Sequence, residues 1–440
     1  MPAVLRRLRT MLSRLRSIPR SIRYFFADLW HWLWSHRLVL TAVVLVLVGA
    51  AGAGAYLIVE RDGDEGPAAG APAPDVIVGQ VAAPDDAADE LETEDLGFPA
   101  FATKNTTRVG GPDPASNAAG VALAVDPATG GVGGPDAVTL VDAGEWQAGI
   151  AAASLAADPV GAPILLTDGG EVPALTANAL RALAPAGSAE TDGTQLFAVG
   201  AAPAPDGYDS LQLHGENPAE IASEIDRLRQ RLDGDPEHVL VASADEPGLA
   251  MPAAGWAARS GDPVLFARRD TLPDATREAL REHKGAPVYV LGPESAISAR
   301  TLREIEKVAP NALRLGEDEP TANSIAFARY ADGTFGWNIN DPGHGFVILN
   351  ARLPIDAAAA APLSASGTWG TQLVVEDGSA VPAELRGYLL DLKPGYDDDP
   401  TRAVYNHVWL IGDQETLSVD FQAQIDELAE VTQVTSGGGR

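Results

Sequence analysis

The sequence predicts an α/β protein built from three tandem parallel-sheet repeats. A Gly-to-Pro stretch recurs at 161–173 (GAPILLTDGGEVP), 261–273 (GDPVLFARRDTLP) and 370–382 (GTQLVVEDGSAVP), its leading glycines 100 and 109 residues apart. A second signal, Gly followed by an acid and Pro, recurs at Gly111, Gly215 and Gly316, spaced by 104 and 101 residues. Between these markers, apolar strands alternate with alanine-rich or amphipathic helices. A self-match at this period marks repeated folding units. Strands that are apolar on both faces indicate a parallel sheet covered by helices on each side.

The chain has 440 residues, a formal charge of −30, 46% hydrophobic residues and no cysteine. That length accommodates two or three domains. The lack of cysteine excludes a disulfide framework, a thiol nucleophile and thiolate-ligated zinc. So acidic a chain repels phosphate backbones, which argues against nucleic acid as a partner. The charge is uneven: residues 1–37 hold eight arginines and one acid, Asp28.

Taken in order, residues 1–37 form a basic leader. Arg6, Arg7, Arg9, Arg14 and Arg16 interleave with Leu5, Leu8, Leu12 and Leu15, a pattern suited to an anionic membrane surface. Tyr24, Phe25, Phe26, Trp30, Trp32 and Trp34 follow; such residues gather at the headgroup level of a bilayer. Residues 38–59 are 22 positions without a charge. As a helix they would reach about 33 Å, enough to cross the hydrocarbon core. The arginines before them predict one transmembrane helix, with the amino terminus in the cytoplasm and the body outside. The alternative is a signal peptide cleaved near the small residues at 51–55. Residues 60–104, rich in Ala, Pro and acids, predict a disordered linker.

Repeat 1 covers 105–212, repeat 2 covers 213–312 and repeat 3 covers 313–431, with a flexible tail at 432–440. Each opens with a short strand, a Gly turn and a helix starting near Pro114, Pro218 or Pro320; Pro suits the first helical turn. A strand follows (AVTLVDA, HVLVASA, GFVILNA), then an alanine-rich helix (WQAGIAAASLAA, GLAMPAAGWAAR, IDAAAAAPLSA). The Gly-to-Pro strand, another helix and a closing strand ending at Gly200, Gly292 or Gly412 complete the pattern. Repeats 2 and 3 add a last helix, where repeat 1 has only the loop APAPDGYDS. Units of about 100 residues are large enough for a core of their own. The short joins between them predict a compact body arranged around a pseudo-threefold axis. Repeat 1, without its last helix, is expected to lean on a neighbour.

Parallel α/β sheets bind ligands beyond the carboxyl ends of their strands. That rule selects Asp142, Glu145, Trp146, Asp168, Asp245, Arg268, Arg269 and Arg352. The arginines suit a partner bearing phosphate or carboxylate, which the guanidinium fork matches. The acids Asp142, Glu145 and Asp168 suit a divalent ion bridging to such a partner. No catalytic set emerges. The seven histidines show no zinc spacing, and His344 beside Asp341 reads as a turn residue. Gly110-Gly111-Pro112 lacks the phosphate-loop pattern. The expectation is a protein without catalytic residues, cofactor or resident metal.

The opening strand with Arg108, Gly111 and Asp113, the alanine-rich run at 148–157, APILLT at 162–167 and VYVLGPESAIS at 288–298 carry a family likeness. On them the chain resembles the type 2 cell-wall-binding repeats of Gram-positive surface proteins, over roughly residues 107–431. The resemblance implies Toprim-like (Rossmann-like) α/β modules, three to a protein in a threefold arrangement. It also implies non-covalent attachment to anionic wall polymers, teichoic-type or another anionic glycopolymer. Where that family commonly has Asp-Arg-Tyr after the opening Gly, this chain reads Asp113-Pro114-Ala115, Glu216-Asn217-Pro218 and Asp318-Glu319-Pro320. A membrane-anchored extracellular protein that binds cell-envelope polymer is the first reading. A membrane-tethered scaffold or protein-interaction module is the second.

Overall fold

The computed structural model describes residues 101–127, 134–365 and 370–434. The basic leader, the predicted span at 38–59 and nearly all of the predicted linker lie outside these residues. No helix among the described residues is long and apolar enough to cross a membrane.

The first part of the body contains strands β1 (Phe101–Ala102), β2 (Thr106–Val109), β3 (Val138–Asp142), β4 (Ile164–Thr167) and β5 (Leu196–Val199). Its helices are α1 (Pro114–Val125), α2 (Trp146–Ala152), which tightens into a 3-10 turn at Ala153–Ala156, and α3 (Ala174–Leu183). Next come β6 (Ser210–Leu213), β7 (Val239–Ser243), β8 (Val264–Ala267) and β9 (Val288–Leu291), with α4 (Pro218–Asp233), α5 (Pro247–Ala250), α6 (Pro252–Ser260), α7 (Asp274–Glu282) and α8 (Ala299–Glu306). The last part holds β10 (Ala312–Leu315), β11 (Gly345–Asn350), β12 (Thr371–Val375), β13 (Gly395–Tyr396), β14 (His407–Ile411) and β15 (Thr432–Gln433). Its helices are α9 (Pro320–Arg329), α10 (Asp356–Ala360), α11 (Pro362–Ala365), α12 (Ala383–Asp391) and α13 (Val419–Ala429). The helices begin where the sequence supplies caps. Asp113 accepts from the Ser116 amide at 2.8 Å, and Ser298 and Ser418 cap α8 and α13 in the same way. Residues 201–209 hold no helix, as expected for repeat 1.

The strands form three parallel sheets of matching order: β4-β3-β5-β6, β8-β7-β9-β10 and β12-β11-β14-β2, the last extended by the antiparallel β1. The sheets are offset from the sequence repeats. Strand β6 crosses the predicted boundary at 213, which therefore falls too late: it leads into the Gly turn of repeat 2 and pairs with β5 of repeat 1, Leu196 opposite Ser210 through Val199 opposite Leu213. Strand β10, which opens repeat 3, pairs with β9 of repeat 2. Strand β2, which opens repeat 1, pairs with β14 of repeat 3, Val408 opposite Thr106 through Ile411 opposite Val109. Each opening strand therefore completes the sheet of the stretch before it, and β2 closes the cycle on β14. The ordered body also starts before the predicted boundary at 105, because β1 pairs along β2 and Lys104 meets Glu430 at 2.8 Å. It reaches into the predicted tail as well, where β15 pairs with β13.

One side chain repeats at every junction. The penultimate residue of each crossing strand is Arg108, Gln212 or Arg314. Each donates to the carbonyl of the glycine that ends the closing strand: Arg108 to Gly412 at 3.0 Å, Gln212 to Gly200 at 2.9 Å and Arg314 to Gly292 at 2.7 Å. The two arginines stand where a last helix follows, and their second arm reaches the carbonyl before it, Leu417 at 2.7 Å or Ile297 at 2.5 Å. Repeat 1 has no such helix, and the shorter Gln212 suffices. Arg108 is the most enclosed, at 1% exposure, and also donates to the Asp413 carbonyl and to Gln422.

The alanine-rich helices α2, α6 and α10 touch one another in all three pairings. Small residues allow this approach. A Cβ on Gly149 would lie 2.7 Å from Ile355 Cδ1 and 2.9 Å from the Ala358 Cβ. The largest apolar cluster accordingly runs through all three repeats, joining Ile150 and Leu155 to Leu240 and Trp256 and to Val347 and Ala358. The separate core expected for each unit is thus largely a shared one. Each first helix also packs on the alanine-rich segment of the preceding repeat: α4 on α2, α9 on α5, and α1 on α10.

Removing the closing arginine leaves four buried acceptors without their donor. Arg108→Met is expected to lower the unfolding free energy by about 3–5 kcal/mol. Gln212→Met, which breaks an internal junction, is expected to cost about 1–2 kcal/mol. Urea denaturation followed by tryptophan fluorescence measures both. Equal, small losses would show that the junction between β2 and β14 is not a special point of closure.

Candidate functional site

The carboxyl ends of β3, β7 and β11 share one local device. The last residue of each strand is short and polar, Asp142, Ser243 or Asn350, and accepts from a backbone amide two residues on. These are Gly144 at 3.0 Å, Asp245 at 3.2 Å and Arg352 at 3.0 Å. Such side chains stabilise a tight turn by imitating its backbone bond. The sequence placed Asp142 among ligand residues, but the structure turns it inward. It is 8% exposed, and its second oxygen accepts from the Gly170 amide at 3.2 Å. Glu145 is similarly engaged, accepting from the Ala201 amide at 3.0 Å beyond the end of β5.

Trp146 is half-buried and packs edge-to-face on Phe266 of β8, ring centroids 6.0 Å apart. Its neighbour Gln147 donates to the Ala244 carbonyl at 3.2 Å. These residues join repeat 1 to repeat 2, so the tryptophan serves as packing rather than as an open platform. Asp168 is exposed at the turn after β4. His344 pairs with Asp341 at 3.3 Å in a turn, while its amide donates to Asn406.

The second sheet brings three of the selected residues together. Arg268 Nη1 lies 3.5 Å from Asp245 Oδ1, and the Arg269 amide donates to Asp245 Oδ2 at 3.2 Å. The guanidinium of Arg269 donates to the Ser295 carbonyl at 3.0 Å and meets Asp270 at 2.9 Å. Both arginines remain open, with side chains 68% and 60% exposed. Arg352 is exposed at the equivalent end of the third sheet, where it adds to the pull that lowers the Asp377 pKa, after the two bonds from Ser379. The eight residues therefore fall on three different sheets, and only Asp245, Arg268 and Arg269 form one cluster. No group of three or more acidic or histidine side chains among the described residues converges to hold a metal ion.

Two buried polar groups escaped the sequence reading. Asp262 accepts from His238 Nδ1 at 3.2 Å and from Trp256 Nε1 at 2.9 Å, while His238 Nε2 lies 3.0 Å from the Thr334 hydroxyl. The order acid, imidazole, hydroxyl is that of a hydrolase triad. Here it lies at the amino end of β7, among Phe335, Tyr289 and Trp256, and ties a repeat 3 turn to repeat 2. The other is Asp356, fully buried at the start of α10. Both of its oxygens lie within reach of Asn117 Nδ2, at 3.1 and 3.0 Å, across the contact between α1 and α10. Asn117 is held in that orientation by the Gly111 amide, which donates to its Oδ1 at 2.9 Å. Burial pushes the Asp356 pKa up to about 7, against the opposing pull of the Asn117 bond. A signal existed in the sequence: an acid opening an all-alanine helix, where the aligned positions are Ala148 and Leu249.

What these elements define is a class: a body of several parallel α/β sheets with cations exposed at one set of strand ends. No protein-family model matches the chain, and no curated protein does. Solved structures do. Cwp6 from Clostridium difficile matches at a TM-score of 0.57 and 18% identity, over 74% of this chain and 48% of that one. Cwp8 from Clostridium difficile matches at 0.56 and 17%, over 74% of this chain and 52% of that one. The match spans about half the length of each of these proteins. At such identities the likeness is one of fold.

Asp356 predicts a pH dependence of stability. Its folded pKa lies above the usual 3.8, so the folded state holds the proton longer than the unfolded one. The stability it supports is complete below about pH 4 and is lost as pH rises through about 7. Asp356→Asn is expected to remove this loss, gaining up to about 4 kcal/mol relative to the unaltered chain above neutrality. Urea midpoints of the two proteins, compared from pH 4 to pH 8, measure the difference. Parallel curves would show that the buried carboxyl stays charged throughout.

Proposed function

We propose that the chain is a membrane-anchored surface protein whose body binds an anionic cell-envelope polymer without a covalent bond. The carrying observation is the pair Arg268 and Arg269, exposed at the carboxyl end of a parallel sheet in a chain of net charge −30. The resemblance to type 2 cell-wall-binding repeats and the fold shared with Cwp6 and Cwp8 support this reading. In it, 38–59 crosses the membrane, the arginine-rich leader stays in the cytoplasm and the body lies in the cell wall. The three sheets are repeats about an approximate threefold axis, supported by their matching strand order and the mutual contact of α2, α6 and α10. The role is adhesive and needs no catalysis. Of the three acids expected to bridge a divalent ion, Asp168 is the one whose carboxylate faces solvent rather than a turn amide.

The second reading, a tethered scaffold or protein-interaction module, is favoured by one observation. The residues after the opening glycines are acids, Asn, Ala and Pro rather than Arg and Tyr, and Trp146 is engaged in packing. Sedimentation separates the two. The full chain, held in mild detergent, is expected to sediment with purified wall sacculi and to remain in solution when anionic polymers have been extracted from them. Retention on stripped sacculi would point to a protein or peptidoglycan partner instead. Raising NaCl from 0.1 to 0.5 M is expected to weaken the attachment, because screening acts on exposed charge pairs.

A further inference from the structure

The second sheet differs from the other two in charge. From the Gly-to-Pro strand to the crossing strand, residues 264–315 carry nine cations against seven carboxylates. The equivalent residues 164–213 carry one against six, and 371–434 with the crossing strand 106–109 carry four against thirteen. Beyond the arginine-rich leader at 1–37, a chain that is acidic almost everywhere thus has one cationic stretch. The fold gathers it on one face. The path from β8 through α7 to β9 and through α8 to β10 moves in a single direction across the sheet. Right-handed crossovers then place α7 and α8 on the same side. The path from β7 to β8 runs the other way and puts α5 and α6, the inward helices, on the opposite side.

The cations also converge. Glu304 of α8 bonds Lys307 and lies in the field of Arg277 from α7 and Arg300 from its own helix. The Arg269 carbonyl accepts from the Ser298 amide and the Thr301 hydroxyl, both at 2.8 Å, which ties the first turn of α8 to the end of β8. Arg281, Arg300 and Arg303 are exposed. Arg277 is half-buried, bonded to Asp274 and the Leu272 carbonyl, and Arg314 is turned inward, into the junction described above.

We propose that this outer face, formed by α7, α8 and the Arg268-Arg269 turn, is the contact for polymer phosphate, and that repeats 1 and 3 do not bind it. This rests on the polymer reading and narrows it to one repeat. The occupant is a flexible chain bearing regularly spaced phosphodiesters. Arginine forks match phosphate oxygens, and a linear polyanion can span both helices. The acidic remainder of the body repels the same polymer, so the approach is steered toward the one cationic face.

The test is binding of poly(glycerol phosphate) to the full chain in mild detergent at 50 mM NaCl. The variant Arg281→Glu/Arg300→Glu/Arg303→Glu is expected to lose at least about tenfold in affinity, since three exposed like charges now face the polymer. Arg386→Glu/Arg402→Glu, an equally exposed change in repeat 3, is expected to stay within about twofold, because no cationic face surrounds it. Arg281→Lys/Arg300→Lys/Arg303→Lys keeps the charge and is expected to retain most of the binding. It guards against a loss caused by misfolding, together with thermal melts of all the variants. Binding by the unaltered chain that survives the triple reversal, or falls equally in both reversals, overturns the assignment to repeat 2 and leaves the polymer reading standing. No binding by the unaltered chain overturns both.

Discussion

A strand at the edge of a sheet has a row of backbone groups that need partners, and the body is organised by how that need is met. Each of the three parallel sheets takes its last parallel strand from the stretch that opens the next repeat, and β2, near the start of the body, fills that position in the final sheet. The junction side chains Arg108, Gln212 and Arg314 follow from this exchange, because each must reach the carbonyl that ends the neighbouring closing strand. So do the contacts of each first helix with its predecessor's alanine-rich segment. The mutual approach of α2, α6 and α10 is then possible only with Gly and Ala at their faces.

Charge is handled in two ways. Inside the body each described charge meets a particular donor or acceptor: Arg108 meets carbonyls, Asp142 meets amides and Asp356 meets Asn117. Outside, the excess of acids keeps the surface mutually repulsive, and the cations are concentrated on α7, α8 and the turn before them. The two treatments explain why acids at equivalent strand ends have different roles. Asp142 is buried and has both oxygens on backbone amides, whereas Asp245 is exposed and divides its oxygens between the Arg269 amide and Arg268.

Much of this was legible in the sequence. The alternation of strand and helix, the Pro-led helix starts and the lack of a helix at 201–209 all follow from local patterns, and the structure places those elements as read. The swapped edge strands were not legible. Thr106–Val109 looks the same whether it pairs within its own repeat or with His407–Ile411, since periodicity reports similarity and not partnership. The site residues were half-legible. Position at a strand end was sufficient to find Asp245, Arg268 and Arg269, but not to tell an outward carboxylate from one turned to an amide. Trp146 looked like an exposed aromatic because its partner, Phe266, lies 120 residues away. The cations of α7 and α8 alternate with acids in sequence, and only their shared face reveals a surplus.

The closure of β2 on β14 has a consequence for how the protein is made. Arg108 and the Gly412 carbonyl it meets are 304 residues apart. Contacts so distant in sequence form late, because the entropy of a long loop must be overcome first. Strand β2 emerges from the ribosome early and finds its sheet last. Until repeat 3 is complete, β2 has only the short β1 beside it and Arg108 is a cation without its cage. Nascent chains that stop short of residue 412 would therefore lack a finished body, whatever the state of their first two repeats. Synthesis of this protein is a single commitment in which the final strand and helix decide whether the whole assembles.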